Sequence, residues 1–467
     1  MPLFSIGVRM RIQEEYKKSG YFWLPGHEEK KIPGTLTIND GGNTQLEVVG
    51  LFDDSIEALN GDDDLSRIIG HVENDGFVTL EDCFYTNKNI GFGGISKSKV
   101  LVNKVLSGAA WDKDEKVTFN TLSFSVDCLD GWVGISGINV DTDLDYKTAT
   151  ISYEPPEALS YALDNGMELK LCFAYTLPGF PTLQEAKITQ RAYFKIISSE
   201  LRELSEFTIL AYKITNLMCF AMNGTVSMKT LSATSNEIKR NNIPQPIKIY
   251  YQSIPYTEKE PTKTRYDMLF SFRTIQDNAG QIFNNWINAY DFLSPALGLY
   301  FSTKTGAQKY LDGKFLALAQ GLETYHRRTS SETLMNQDDF GTLVDTILEG
   351  CPENNRDWLK GRLVHGNEIN LGKRLKKIVE PFKKHLGSSK DRGKLLRKIV
   401  DKRNYLTHYN EELKDAAANG KDLFNLCSKM ELIFNLHFLK VVGFTDKEIE
   451  VVVETAQPLK AKMMNIN

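Results

Sequence analysis

Leu395-Leu396-Arg397-Lys398-Ile399-Val400-Asp401-Lys402-Arg403-Asn404-Tyr405-Leu406-Thr407-His408 is the stretch on which the reading of this chain turns. Leu395, Leu396, Ile399, Val400 and Leu406 recur at helical spacing, and Arg403 takes the stripe position i+4 from Ile399 and i+7 from Leu396. An unpaired guanidinium there is costly, so the spacing predicts a carboxylate, an interface or a ligand phosphate beside it. His408 lies five residues further on, about 140° around a straight helix from Arg403. Either the helix ends or distorts at this point, or a site combines side chains from two copies across a symmetric interface.

The charge leading into this stretch is one-sided. From Leu371 to Arg403, thirteen Lys or Arg stand against Glu380, Asp391 and Asp401, a local +10 in a chain of net charge −4. A phosphate backbone suits such a cluster, because each cation contact releases condensed counterions. The alternative is a solvated helix face. The candidates for phosphate contact are Lys373, Arg374, Lys376, Lys377, Lys384, Lys394, Arg397, Lys398 and Lys402. Residues 1 to 80 carry fourteen acidic and seven basic side chains. That end is a poor RNA surface, and two regions of opposite sign could dock on each other.

Arg403-Asn404, three residues and His408, after a basic amphipathic helix, resemble the arginine-to-histidine signature of HEPN-domain ribonucleases, in the form found in ApeA-like bacterial antiphage proteins. Tyr21-Phe22-Trp23-Leu24-Pro25, Pro33-Gly34-Thr35-Leu36, Ile69-Gly70 and Gly76-Phe77-Val78-Thr79-Leu80-Glu81-Asp82-Cys83 are similar to the N-terminal domain that accompanies this HEPN type, so the resemblance spans nearly the whole chain. It implies an antiphage, abortive-infection ribonuclease that cuts RNA, transfer RNA among the candidates, by transesterification. No metal or other cofactor is implied, and the products carry a 2′,3′-cyclic phosphate and a 5′-hydroxyl. The partners implied are RNA, a second copy in a homodimer or higher oligomer, and a phage-derived trigger.

Chemically, an imidazole exchanges a proton near neutral pH and a guanidinium holds phosphate oxygens in a fork, so His408 and Arg403 are the catalytic candidates. Asn404 either orients the phosphate or His408, or is a helix-surface or capping amide. In the resemblance an acidic residue on an earlier helix can pair with the motif arginine, which makes Glu323 a candidate; the alternative is a surface pair between Glu323 and Arg327. His326, His365, His385 and His437 lack a partner pattern and are expected to be structural or exposed.

Composition is that of an ordinary globular protein, with 41% hydrophobic and 25% charged residues. The chain has no long apolar run and the opening is too soon charged for a signal peptide, so a cytoplasmic location without membrane contact is expected. Six cysteines lie at least forty residues apart. Free thiols are expected, although distant ones could meet at a metal.

The expected fold class is multidomain α+β: a β-rich sandwich or barrel-like N-terminal region, then an all-α HEPN bundle. Residues 1–200 read as strands, 201–275 as a helix plus strands completing that region, and 276–467 as the HEPN-like domain of five or six helices. Ser205 is the expected N-cap of a helix through Ala221, and Met268–Phe272 an expected strand. Phe340, Leu343, Val344, Ile347 and Leu348 mark an expected bundle helix, and Leu423, Phe424, Cys427, Met430, Phe434 and Phe438 a helix buried in the core or in a dimer contact. Gly91-Phe92-Gly93-Gly94 lacks the Gly-Lys-Ser/Thr ending of a phosphate loop and is read as a turn. Two other functions remain open: a non-catalytic HEPN module that holds RNA or a partner, and a β domain whose ligand binding is the main activity.

Overall fold

The computed structural model describes residues 10–12, 15–52, 64–91, 94–179, 184–252, 255–306, 308–409, 412, 414 and 417–464. Phe92 and Gly93 of the glycine-rich turn lie outside them. The chain forms two compact units, Met1–Ile287 and Asn288–Asn467.

The first unit opens with β1 (Tyr16–Trp23), β2 (Ile32–Ile38), β3 (Thr44–Val48), β4 (Asp64–Val72), β5 (Gly76–Asn89) and β6 (Lys97–Ser107). Their order is β6-β3-β2-β1-β4-β5, and antiparallel pairing of β5 with β6 closes them into a six-stranded barrel. Alternation puts Phe22, Leu36, Leu46, Ile68, Val78 and Val100 inside, all fully buried. Gly20 allows the tight closure of β1 on β4, since a Cβ there would lie 2.3 Å from the His71 carbonyl oxygen.

From β6 the sheet continues through elements later in the chain. These are β7 (Thr118–Val126), α1 (Leu129–Val133), the separate hairpin β8 (Ile138–Thr142) and β9 (Ala149–Tyr153), β10 (Leu159–Ala162), β11 (Glu168–Thr176), β12 (Thr189–Glu203), α2 (Leu204–Ala221), β13 (Met228–Thr234), the short pair β14 (Lys239–Arg240) and β15 (Ile243–Pro244), and β16 (Ile247–Tyr251). The order away from β6 is β16-β13-β7-β12-β11-β10. Helix α2 packs on β7 and β12 with Phe207, Leu210, Ile214, Leu217 and Met218 buried. It starts at Leu204 directly from β12, with Glu203 rather than Ser205 in the capping place.

Met268–Phe272 is not a strand. Met268, Leu269, Phe270 and Phe272 are all buried instead of alternating, and their backbone bonds to other elements rather than to a neighbouring strand: Leu269 N–H donates to Ala221 O at 2.8 Å, and Phe270 O accepts from Trp132 Nε1 at 3.0 Å. The segment leads into α3 (Phe272–Ile275) and then α4 (Ala279–Ser302), whose residues fall on both sides of the division between the units.

The second unit is helical: α5 (Leu311–Thr329), α6 (Gln337–Glu349), α7 (Arg356–Leu363), α8 (Leu371–Val379), α9 (Ser389–His408), α10 (Gly420–Val442), α11 (Asp446–Thr455) and α12 (Gln457–Met464). Helix α10 is its centre, with Leu423, Cys427, Met430, Phe434 and Phe438 in the core and Phe424 exposed. Pro381 ends α8, since it has no N–H to continue the ladder, and Glu380–His385 tightens into a 3₁₀ turn. Gly443, at φ 109°, stops α10, and a Thr445–Glu448 capping box starts α11. The stripe of α6, expected inside the bundle, is not there: no residue of α6 is buried. Among the described residues no helix is long and apolar enough to cross a membrane.

Candidate functional site

Helix α9 carries the arginine and the histidine. A reciprocal capping box between Ser388 and Asp391 starts it, and it runs unbroken to His408, where Tyr409 in the left-handed region (φ 48°) closes it by donating its N–H to Tyr405 O. The helix therefore does not end before His408, and the offset between Arg403 and His408 persists.

Its buried row is Leu395, Ile399, Lys402 and Leu406, at 7, 0, 1 and 9% exposure. Lys402, not Arg403, takes the inward place. Its ammonium is satisfied by Asp312 at 2.9 Å, by Asn419 Oδ1 at 3.2 Å and by the Tyr405 ring at 5.4 Å. Asp312 belongs to the first turn of α5 and Asn419 caps α10, so one lysine ties three helices at the level of the motif. Arg403 sits half-buried beside that row, where its Nη1 donates to Asn404 Oδ1 at 3.4 Å.

The opposite face carries a second row. Lys390, Lys394, Arg397, Asp401, Asn404 and His408 recur at four- and three-residue steps, which on a continuous helix aligns them. His408 is exposed at its end. Apolar periodicity missed this row because none of its members is apolar.

The basic candidates separate by burial. Lys373, Lys376, Lys394 and Arg397 are exposed, with no ion pair among the described residues. Lys377 pairs with Glu332 at 2.9 Å, Lys398 with Asp422 at 3.2 Å and Lys384 with Glu450; such surface pairs are weak and exchange readily for phosphate. Arg374 is 4% exposed and bonds to Glu368 at 3.3 Å and to His326, so it and Lys402 are turned inward, away from any backbone phosphate. The run thus finds acidic partners elsewhere in the chain, Glu332, Glu368, Asp422, Glu450 and Asp312, that its own stretch of sequence lacks.

Glu323 is held by Arg327, whose Nη2 and Nε lie 3.0 and 3.2 Å from its Oε1; no described bond joins it to Arg403. Arg327 also grips Glu368, and its hydrogen bond holds that carboxyl below the usual range. His437 lies between the rings of Tyr325 and Phe382, with Nε2 2.9 Å from Ile378 O, and burial pushes its pKa down to about 4. His326 and His385 are lowered in the same way. All six cysteines are free thiols, and among the described residues no group of three or more His, Cys, Asp or Glu is placed to hold a metal ion.

The sequence reading also missed a buried cluster. Glu431 on α10 receives Lys304 at 2.5 Å, Lys314 at 2.7 Å and Lys462 at 3.1 Å. Burial opposes its ionisation, but the three ammonium groups win and hold the carboxyl far below its ordinary value. In the first unit, the barrel bears a cavity of about 1000 Å³ lined by Tyr21, Glu47, His71, Asn87 and Lys99 among others.

Two family matches cover this architecture. Residues 17–286 match ApeA N-terminal domain 1, and residues 316–448 match the Apea-like HEPN domain. The chain belongs to the ApeA-like HEPN proteins. It is accordingly a HEPN-based antiphage defence protein. In this ApeA-like HEPN protein the barrel and its extended sheet form the N-terminal match, and α9 with its arginine and histidine lies inside the HEPN match. No curated protein and no solved structure matches the chain.

Proposed function

We propose that this chain is a ribonuclease that cleaves RNA without a metal ion, using Arg403 and His408, and that the N-terminal region restrains it until infection supplies a trigger. The observation that carries this reading is the row on α9: His408 and Asn404 share a solvent face with Lys394 and Arg397, while Arg403 projects from the flank. The lysine and arginine hold the RNA backbone and the histidine meets it at the row's end.

Cleavage needs a base for the 2′-hydroxyl, an acid for the departing 5′-oxygen, and positive charge on the phosphorane. With two copies of α9 facing each other, His408 of one copy takes the 2′-proton as the 2′-oxygen attacks phosphorus. The imidazolium so formed gives its proton to the departing 5′-oxygen as its bond to phosphorus breaks, and Arg403 of the other copy holds the non-bridging oxygens. Asn404, bonded to Arg403, fixes the direction of the guanidinium. The setting proposed is the cytoplasm.

The test is cleavage by the purified full chain. Arg403→Ala and His408→Ala are each expected to lose about 10²- to 10⁴-fold in rate with unchanged thermal melts, and EDTA is expected to leave cleavage intact. Full activity in well-folded variants would favour a non-catalytic HEPN module. A second reading rests on the barrel cavity: the first unit binds a ligand there, and that ligand is the trigger.

A further inference from the structure

Helices α6 and α7 form an arm whose apolar surface is left open among the described residues. Its two ends are pinned together by Asn367, whose Oδ1 accepts from Met335 N–H at 2.9 Å and whose Nδ2 donates to Met335 O at 3.0 Å. A bridge between Thr333 and Glu368 closes the base, and α6 packs on α7. Phe340 lies against Gly366, where a Cβ would come within 3.0 Å of its ring. The arm is thus a defined structure, yet neither helix has a buried residue, and Leu343, Ile347, Trp358 and Val364 are 41, 39, 63 and 65% exposed. A helical stripe of this kind, on a built support, is the form of a contact surface.

The charges say what covers it. Helix α6 carries Asp338, Asp339, Asp345 and Glu349 and no basic residue, whereas α7 carries Arg356, Lys360 and Arg362 against Asp357. Among the described residues no ion pair joins the two helices, so both sets of charge face outward. An anionic lipid surface or a nucleic acid is repelled by α6. A second copy fits: a two-fold rotation sets α6 of each chain against α7 of the other, acid against base twice over, with the Leu343–Ile347 stripe of α6 and Trp358 of α7 buried between them.

We propose that the α6–α7 arm is a self-association surface, pairing α6 of one copy with α7 of the next as a four-helix contact. This goes beyond the cleavage chemistry and does not depend on it.

Sedimentation equilibrium of the full chain tests it, without RNA. Trp358→Ala is expected to weaken association roughly thirtyfold, as for the removal of a buried aromatic anchor, and to halve the mass at a concentration where the unaltered chain is associated. The pair Asp339→Lys and Asp345→Lys, and separately the pair Lys360→Glu and Arg362→Glu, are expected to do the same. All five side chains are exposed, so the fold stands. Mixing the two reversed proteins one to one is expected to restore the full mass, because each reversed α6 then meets a reversed α7. A mass that Trp358→Ala leaves unchanged would overturn the proposal, as would reversals that mixing fails to rescue; either outcome assigns the arm to a different partner and leaves the cleavage reading untouched.

Discussion

Lys402 and Arg403 show what a sequence can and cannot fix at the scale of one residue. Leu396, Val400 and Arg403 are spaced as well for burial as Leu395, Ile399 and Lys402, and periodicity alone does not choose between neighbouring rows. The choice was made by Asp312 and Asn419, which are distant in sequence and wait for an ammonium. Lys402→Ala is therefore expected to cost about 1 to 3 kcal/mol, below the range for breaking a fully buried pair because the Asp312 carboxylate left behind is half exposed; a urea titration reads it. Arg403→Ala, at the edge, is expected to cost far less. His437 sets a second expectation. Folded, it titrates at about 4; unfolded, at about 6.5. The unfolded chain takes the proton first, so stability is full above pH 6.5 and falls as pH drops towards 4, by at most about 3 kcal/mol. His437→Gln should show a shallower loss of stability over that window than the unaltered chain, and equal slopes would remove the assignment.

At the scale of elements, the strands of the barrel and the long helix α10 were legible because each rests on local chemistry: alternation and a 3.6-residue stripe. Two elements were not. Met268–Phe272 has strand-like composition but directs its backbone bonds to the end of α2 and to Trp132, and α6 has a core stripe left uncovered among the described residues. A stripe records that something apolar will be met, not whose chain supplies it. The exposed basic side chains of α8 and α9 carry the element-scale prediction. Lys376→Glu, Lys394→Glu and Arg397→Glu together are expected to weaken RNA binding while leaving the melt unchanged. The slope of log affinity against log salt is expected to fall by about 0.7 for each phosphate of a single strand that the protein no longer neutralises. An unaltered slope would make those side chains a solvated surface.

At the scale of the whole molecule, the β-rich region and the helical bundle were legible, but the barrel's closure was not. Strand β6 pairs with β5, its neighbour in sequence, and also with β3 and β16, and those two long-range pairings leave no mark on any one strand's sequence. The offset of Arg403 from His408 on an unbroken helix bears on assembly in the same way. One chain aims the two side chains in different directions, so the proposed site draws its arginine and its histidine from two copies. Mixing Arg403→Ala chains with His408→Ala chains, under conditions where the unaltered protein cleaves RNA, tests this most directly. Each variant alone is expected to be inactive, and an equal mixture to recover about a quarter of the activity, because about half of randomly paired dimers are mixed and each mixed dimer has one complete site of two. A mixture as inactive as its components, or either variant fully active by itself, would contradict the account.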